Sequence, residues 1–158
     1  MLLKLSRLVG LLIVMAAFGC EQPIKWTMQP GVDPDPIKAG ADFSVLCKVA
    51  GDLKQVGFVN AVPIAAPEYT MEMNDEGKEG DAKKGDGVYS HKRDLPGSVD
   101  AGEYELEFVV YDKKGEPIQV PSFTLLGKDG KTVIKEVKPS EADGKAVEFA
   151  TIIEVTVE

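Results

Sequence analysis

The fold is decided by residues 102–112, which read GEYELEFVVYD. From Tyr104 to Val110 every second side chain is apolar, and a glutamate precedes each of the first three apolar residues. A period of two puts the apolar side chains on one face of an extended chain, so this segment is predicted to be a β-strand with one face buried. The same alternation recurs at 41–50, around Cys47, and at 147–157.

Other strands are predicted between these three. The candidates are 54–60, 68–73, 87–95, 117–126 and 132–138. The breaks between them contain Gly, Pro, Asp or Asn, the residues that favour turns, as in the hairpin-like turn at 112–115. No window has the apolar spacing of a helix of ten or more residues. Seven or eight short strands at this spacing predict an all-β protein, an antiparallel β-sandwich.

Charge and length exclude several classes of protein. The chain has 158 residues, a length typical of a single domain. Two of its 18 basic residues and none of its 26 acidic residues lie in the first 20 positions, so the remainder carries 16 basic against 26 acidic groups. A surface that binds nucleic acid is therefore not expected.

The N-terminus has the pattern of a signal peptide. Lys4 and Arg7 precede an apolar run at 8–18, and small residues lead to Cys20. The run has 11 residues, whereas a membrane-spanning helix needs about 20. We therefore expect a cleaved signal peptide at 1–19.

The residues before Cys20 indicate lipidation. Positions 17–20 read AFGC and resemble the bacterial lipobox, in which Gly or Ala precedes the lipidated Cys; Ala17 and Phe18 depart from the usual residues. The resemblance implies a lipoprotein whose Cys20 carries acyl chains such as palmitate, which would attach it to membrane lipid. Glu21 is not the Asp that favours inner-membrane retention in enteric bacteria, so the outer membrane of the cell envelope is expected. Residues 20–40, rich in Pro, are predicted to be a tether in which only 24–28 could form a short edge strand, and 41–158 the sandwich.

One motif resembles immunoglobulin domains. Asp100-Ala101-Gly102-Glu103-Tyr104-Glu105-Leu106 is similar to the Asp-x-Gly-x-Tyr-x-Cys signature of their strand F. The resemblance implies an Ig-like sandwich in which Tyr104 makes a corner hydrogen bond and Leu106 takes the position of the half-cystine. Cys47 then stands where the other half-cystine would lie, without a partner, and Phe58 is the candidate for the buried Trp of strand C.

A second motif resembles a loop of Ig-like modules in bacterial secreted and surface proteins. Residues 74–89 read NDEGKEGDAKKGDGVY, similar to Asp-Asp-Gly-x-x-Gly-Asp-x-x-Ala-Gly-Asp-Gly-x-Tyr. Glu76 replaces the second Asp of that pattern, and Lys84 replaces the Ala. The two resemblances together cover about 36–112 and leave the segment after Leu126 uncovered.

The acidic residues of this loop allow two interpretations. Asp75, Asp81 and Asp86, with backbone carbonyls, could supply the oxygens that calcium prefers. Alternatively these side chains accept backbone N–H groups in tight turns, for which glycine supplies positive φ. No cofactor other than this calcium is expected.

Enzymatic interpretations are weaker. His91 is the only histidine, and adjacent Ser90 points to the opposite face of a strand. Cys47 on an apolar strand face is typical of an inert buried residue. The glutamates at 103, 105 and 107 suggest a solvated sheet face between Lys-bearing strands, with no second carboxylate placed across a cleft as glycoside hydrolysis requires.

The sequence thus predicts a lipid-anchored envelope protein that is not an enzyme and whose Ig-like domain has a binding or structural role. Two alternatives remain open: a calcium-dependent adhesion or carbohydrate-binding module, and an accessory subunit of an envelope enzyme. The partner, protein or glycan, is not identified by the sequence.

Overall fold

The computed structural model describes residues 22–78, 82–140 and 144–158. The signal peptide, Cys20 and Asp81 lie outside these residues. Within them the chain forms a single-turn 3₁₀ helix, Pro67–Tyr69, and eleven strands: β1 Trp26–Asp33, β2 Asp42–Ala50, β3 Val56–Pro63, β4 Met71–Met73, β5 Val88–Asp94, β6 Gly102–Asp112, β7 Gln119–Val120, β8 Phe123–Leu126, β9 Val133–Val137, β10 Val147–Glu148 and β11 Ala150–Val157. The all-β prediction is confirmed. No helix in the described part of the chain is long and apolar enough to span a membrane.

The strands form two main sheets that pack face to face. One has five strands in the order β5-β2-β1-β8-β9, the other has four in the order β11-β6-β3-β4, and β10-β7 is a small separate ribbon. The order of β3, β6 and β11 is similar to that of strands C, F and G in an immunoglobulin domain, and the order of β1, β2 and β5 is similar to that of A, B and E. After β1 the chain crosses to the second sheet, where the N–H of Ile37 donates to the carbonyl of Thr156 over 2.8 Å.

The core lies between the inner faces of the two sheets, as the alternation predicts. In β2 the buried residues are Phe43, Val45, Cys47 and Val49; in β6 Leu106, Phe108 and Val110 face the core, and Val109 on the other face is buried as well. Phe149, just before β11, is fully buried and contacts the rings of Trp26 and Phe123 edge to face. The sandwich is thus held by apolar packing across the position where antibody domains have a disulfide.

The predicted tether at 20–40 is wrong from Trp26 onward. β1 is an interior strand that pairs with β2 along its length, and Trp26 is only 6% exposed. Pro30 and Gly31 look like strand breakers in the sequence, but β8 borders β1 only from Trp26 to Met28. Pro30 therefore lies where β1 has a neighbour on one side only, and a residue without an N–H is tolerated there.

The prediction for Phe58 is also wrong. Val56 and Val59 both face the core because the register of β3 shifts between Val56 and Phe58, and this turns Phe58 outward. A Cβ on Gly57 would collide with the main-chain oxygen of Asp112, so this β-bulge requires glycine. The buried tryptophan of the domain is Trp26, in the first strand.

The segment from the end of β6 to β11 is more elaborate than predicted. It contains four strands, β7 to β10, and it adds β8 and β9 to the edge of the five-stranded sheet beside β1. The pairing of β1 with β8 is parallel, so the sandwich is not purely antiparallel. The described strands accordingly outnumber the seven or eight that the sequence predicted.

Candidate functional site

The loop that carries the chain from β4 to β5 is closed by the carboxylate of Asp75. One of its oxygens, Oδ1, accepts the N–H groups of Gly85 at 2.6 Å and Asp86 at 3.3 Å. The other, Oδ2, accepts the N–H of Gly87 at 2.9 Å. Gly87 has a φ of +83°, and a Cβ there would meet the carbonyl of Val49, so the position favours glycine.

This geometry is that of the turn interpretation. Asp86 likewise accepts the N–H of Val88, at 3.0 Å, so the two described candidate ligands both serve as turn acceptors. Asp81, the third candidate, lies outside the described residues. No group of three His, Cys, Asp or Glu side chains suited to a metal occurs among the residues that the structure describes. Calcium binding by this loop remains a prediction.

Tyr104 makes the expected corner. Its hydroxyl donates to the carbonyl oxygen of Asp100, four residues upstream, over 2.7 Å. Its ring is partly buried against the core, and Leu106, two residues on, is 5% exposed. Both residues are structural: they fix the start of β6 and fill the core beneath it.

Cys47 is sealed inside the sandwich. Its side chain is fully buried and free, and Tyr89 lies beside it in β5. Burial raises the pKa of the Cys47 thiol far above its usual value. Burial, and then the negative charge of Asp75, raise the pKa of Tyr89 to about 12. Because the thiolate is the reactive form, we expect Cys47 to be unreactive in the folded domain.

Ser90 and His91 do not form a nucleophile and base. The hydroxyl of Ser90 is fully buried and donates to the carbonyl of Lys78 over 2.7 Å. Nδ1 of His91 lies 3.1 Å from the carbonyl oxygen of Glu72, a contact in which that nitrogen is the donor. Each side chain holds main chain of the β4 side to the edge strand β5, so both have structural roles.

The outer face of the four-stranded sheet is strongly acidic. We call it the acidic face; its carboxylates are Glu72, Glu103, Glu105, Glu107 and Glu154. The expectation that the glutamates of β6 lie between Lys-bearing strands is wrong. Its neighbours are β3 and β11, and none of the four strands, every residue of which is described, contains Lys or Arg.

Two of these carboxylates lie directly opposite each other. Glu105 in β6 is the register partner of Glu154 in β11. With Glu103 they line a depression of about 460 Å³, whose other walls come from Ile64, Ala65 and Tyr104. Like charges at directly opposed positions destabilise a sheet.

Apolar side chains lie beside the carboxylates on the same face. Phe58 and Tyr111 stack with ring centroids 5.0 Å apart and planes 10° from parallel. Ile152 is 50% exposed and lies opposite Glu107 in the register. The bulge at Gly57, which removes Phe58 from the core, thereby supplies an aromatic side chain to this outer surface.

The outer face of the five-stranded sheet is different. A groove of about 580 Å³ runs over β1, β2 and β5 to the turn between β8 and β9, lined by polar, apolar and basic side chains such as Gln29, Leu46 and Lys48. Gln29 is not available to a ligand there, because its side-chain amide donates to the carbonyl of Lys128 over 2.8 Å. This groove therefore carries charges of both signs, from Lys48, Lys131 and Asp129.

The chain matches no protein-family model, and no curated protein is significantly similar to it. The geometry and the charges of the domain are therefore the basis of its proposed function. The acidic face is the feature that sequence reasoning missed. Its signal, strands without a single basic residue, becomes visible only when β3, β4, β6 and β11 are known to be neighbours.

Proposed function

We propose that this chain is a non-catalytic, lipid-anchored protein of the bacterial cell envelope, and that its Ig-like sandwich presents a binding surface near the membrane. The observation that carries the proposal is the apolar run that ends at Gly19-Cys20. Acyl chains on Cys20 would give firm attachment to the bilayer, since each buried CH₂ contributes about 0.8 kcal/mol.

The position of β1 supports a close association with the membrane. Only residues 21–25 separate Cys20 from Trp26, the first residue of β1. Five residues reach at most about 18 Å when fully extended. The end of the sandwich at which β1 begins is therefore expected to face the bilayer, with the sheets standing away from it.

The absence of catalysis is supported by the state of the reactive side chains. Cys47 is buried with a raised thiol pKa, and Ser90 and His91 bind main-chain carbonyls. A binding or structural role does not require any of these side chains to react.

Mass spectrometry of protein extracted from envelope membranes tests the anchor. We expect a mature chain that starts at Cys20 and carries acyl chains, and a Cys20→Ala variant that is neither acylated nor cleaved at this position. An unmodified Cys20, or a mature chain that starts elsewhere, would contradict the proposal.

A melting experiment separates the calcium alternative from this proposal. A ligand present at 100 times its Kd raises stability by about 2.7 kcal/mol. Because Asp75 and Asp86 already accept main-chain N–H groups, we expect the same Tm in millimolar calcium and in excess chelator. A higher Tm in calcium that Asp75→Asn abolishes would favour the calcium-dependent module.

A further inference from the structure

We propose that the acidic face is a docking surface for a basic segment of a partner protein. The inference rests on the proposed function only for the compartment in which the partner is sought. Three properties of this face support the proposal: its charge, its opposed glutamates and its apolar side chains.

The charge of the face has a single sign. All the side chains of β3, β4, β6 and β11 that are charged at neutral pH are carboxylates. The five-stranded sheet also places two carboxylates, Asp42 and Asp94, opposite each other, but there Nζ of Lys92 lies 2.9 Å from the carboxylate of Asp42. The acidic face therefore attracts cations over its whole width, which speeds association with a basic partner and disfavours an acidic one.

The opposed glutamates are unfavourable in the free protein. Glu105 faces Glu154 across the two strands, where an opposite charge or a neutral side chain would be better for the sheet. Departures from such local rules are expected at functional sites. A Lys or Arg from a partner, placed in the depression beside this pair, would remove the repulsion by charge pairing.

The apolar side chains indicate a protein rather than a small cation. The stacked rings of Phe58 and Tyr111 and the half-exposed Ile152 provide contact area next to the carboxylates. Aromatic residues are enriched in protein interfaces. A sheet face of this kind fits an extended or helical segment that has basic and apolar residues together.

Two other occupants fit less well. A second copy docked through the same face would bring two sets of carboxylates together, which like charges oppose. A bilayer surface rich in anionic lipid would repel this face for the same reason. A basic protein segment is the occupant that both the charge and the apolar side chains favour.

Site-specific photo-crosslinking in the full-length, membrane-bound protein tests the proposal. A photoreactive residue replaces Ile152 on the acidic face or, as the control, Ile134 on β9, which is 63% exposed against 50% for Ile152. Adducts are purified under denaturing conditions, and the crosslinked peptide is sequenced. We expect adducts at position 152 that map to basic segments of another protein, and at least several-fold fewer at position 134.

Neutralising the opposed pair tests the role of charge. Glu105→Gln with Glu154→Gln should lower the adduct yield at position 152 by about tenfold, because the charges that attract the partner are lost. The matched control, Asp42→Asn with Glu136→Gln, changes the same net charge on the five-stranded sheet and should leave the yield unchanged. Melts of each variant check that the fold is intact.

Several outcomes would overturn the proposal. They are adducts only to a second copy, adducts to neutral or acidic segments, no adduct at position 152, and a yield that does not respond to the pair of Gln substitutions. Mass spectrometry of Cys20 in the same sample tests the lipid anchor independently of the docking surface. Basic adducts with an unmodified Cys20 would leave the docking surface standing and remove the lipid anchor.

Discussion

The outer faces of the two sheets face the same solvent but treat their charges differently. On the five-stranded sheet Asp42 faces Asp94 in the register, and the hydrogen bond and positive charge of Lys92 lower the pKa of the Asp42 carboxyl. On the four-stranded sheet Glu105 and Glu154 face each other, and no basic residue stands in any of its fully described strands. Both arrangements are compatible with the same inner packing. The two faces therefore differ in the basic side chain beside their opposed carboxylates, and the proposed docking surface accounts for that difference.

The largest effect is expected on the five-stranded sheet, from Trp26→Ala. The Trp26 ring packs edge to face on Phe149 at 5.4 Å, and removing a buried aromatic side chain costs about 3–5 kcal/mol. Urea denaturation measures the loss. Ile24→Ala, two residues earlier and 56% exposed, is the matched control and should stay within about 0.5 kcal/mol of the parent. Equal effects of the two substitutions would mean that the segment around Trp26 is a tether and not a strand of the core.

The next prediction compares the two inner faces. Leu106→Ala, on the four-stranded sheet, should cost about 2–5 kcal/mol because the cavity it leaves is closed in by both sheets. Cys47→Ala, on the five-stranded sheet, removes one sulfur atom and should cost less.

Native Cys47 should resist a thiol reagent until the domain is denatured, since the side chain is fully buried. Rapid labelling of the native protein would mean that β2 presents its other face to the core.

A smaller effect is expected from Tyr104→Phe, which keeps the ring in place on the four-stranded sheet. The substitution removes only the hydrogen bond to the carbonyl of Asp100, and one such bond contributes about 1 kcal/mol net. The chemical denaturation midpoint should fall with no change in the denaturant slope. An unchanged midpoint would show that the corner bond does not stabilise the start of β6.

The smallest effect is expected at the surface, and its sign differs between the two sheets. Glu105→Gln should raise stability by about 0.2–1 kcal/mol, because it relieves repulsion with Glu154. Lys92→Gln should lower stability, because it removes the partner of Asp42. Both differences should shrink in about 1 M salt, where surface charges are screened within about 3 Å. Effects of the same sign on the two sheets would remove the contrast between their faces.

Alternation in the sequence predicted the strands that have one face in the core. The segments around Cys47 and Leu106 are examples, because every second position of each uninterrupted strand carries an apolar side chain that faces the core. The motif around Tyr104 predicted the corner as well, because both partners of that hydrogen bond lie within five residues of one another. These features depend on local sequence alone.

Other features depend on residues that are distant in the chain. Pro30 is tolerated in β1 because β8, which begins more than 90 residues later, has already ended. Phe58 changes faces because Gly57 packs against the main chain of Asp112. The acidic face needs four strands from separate parts of the sequence to become neighbours. Alternation within one segment contains none of this information.

The position of β1 also determines how the domain would carry mechanical load. Suppose that Cys20 is anchored in the bilayer and a partner bound to the acidic face is pulled away from it. The membrane would then resist the force through Trp26, along the axis of β1. Seven residue pairs with β2 and three with β8 would then be loaded together in shear. They would not be opened one after another as in a zipper. If Cys20 is anchored as proposed, β1 would therefore bear the tension between the membrane and a bound partner.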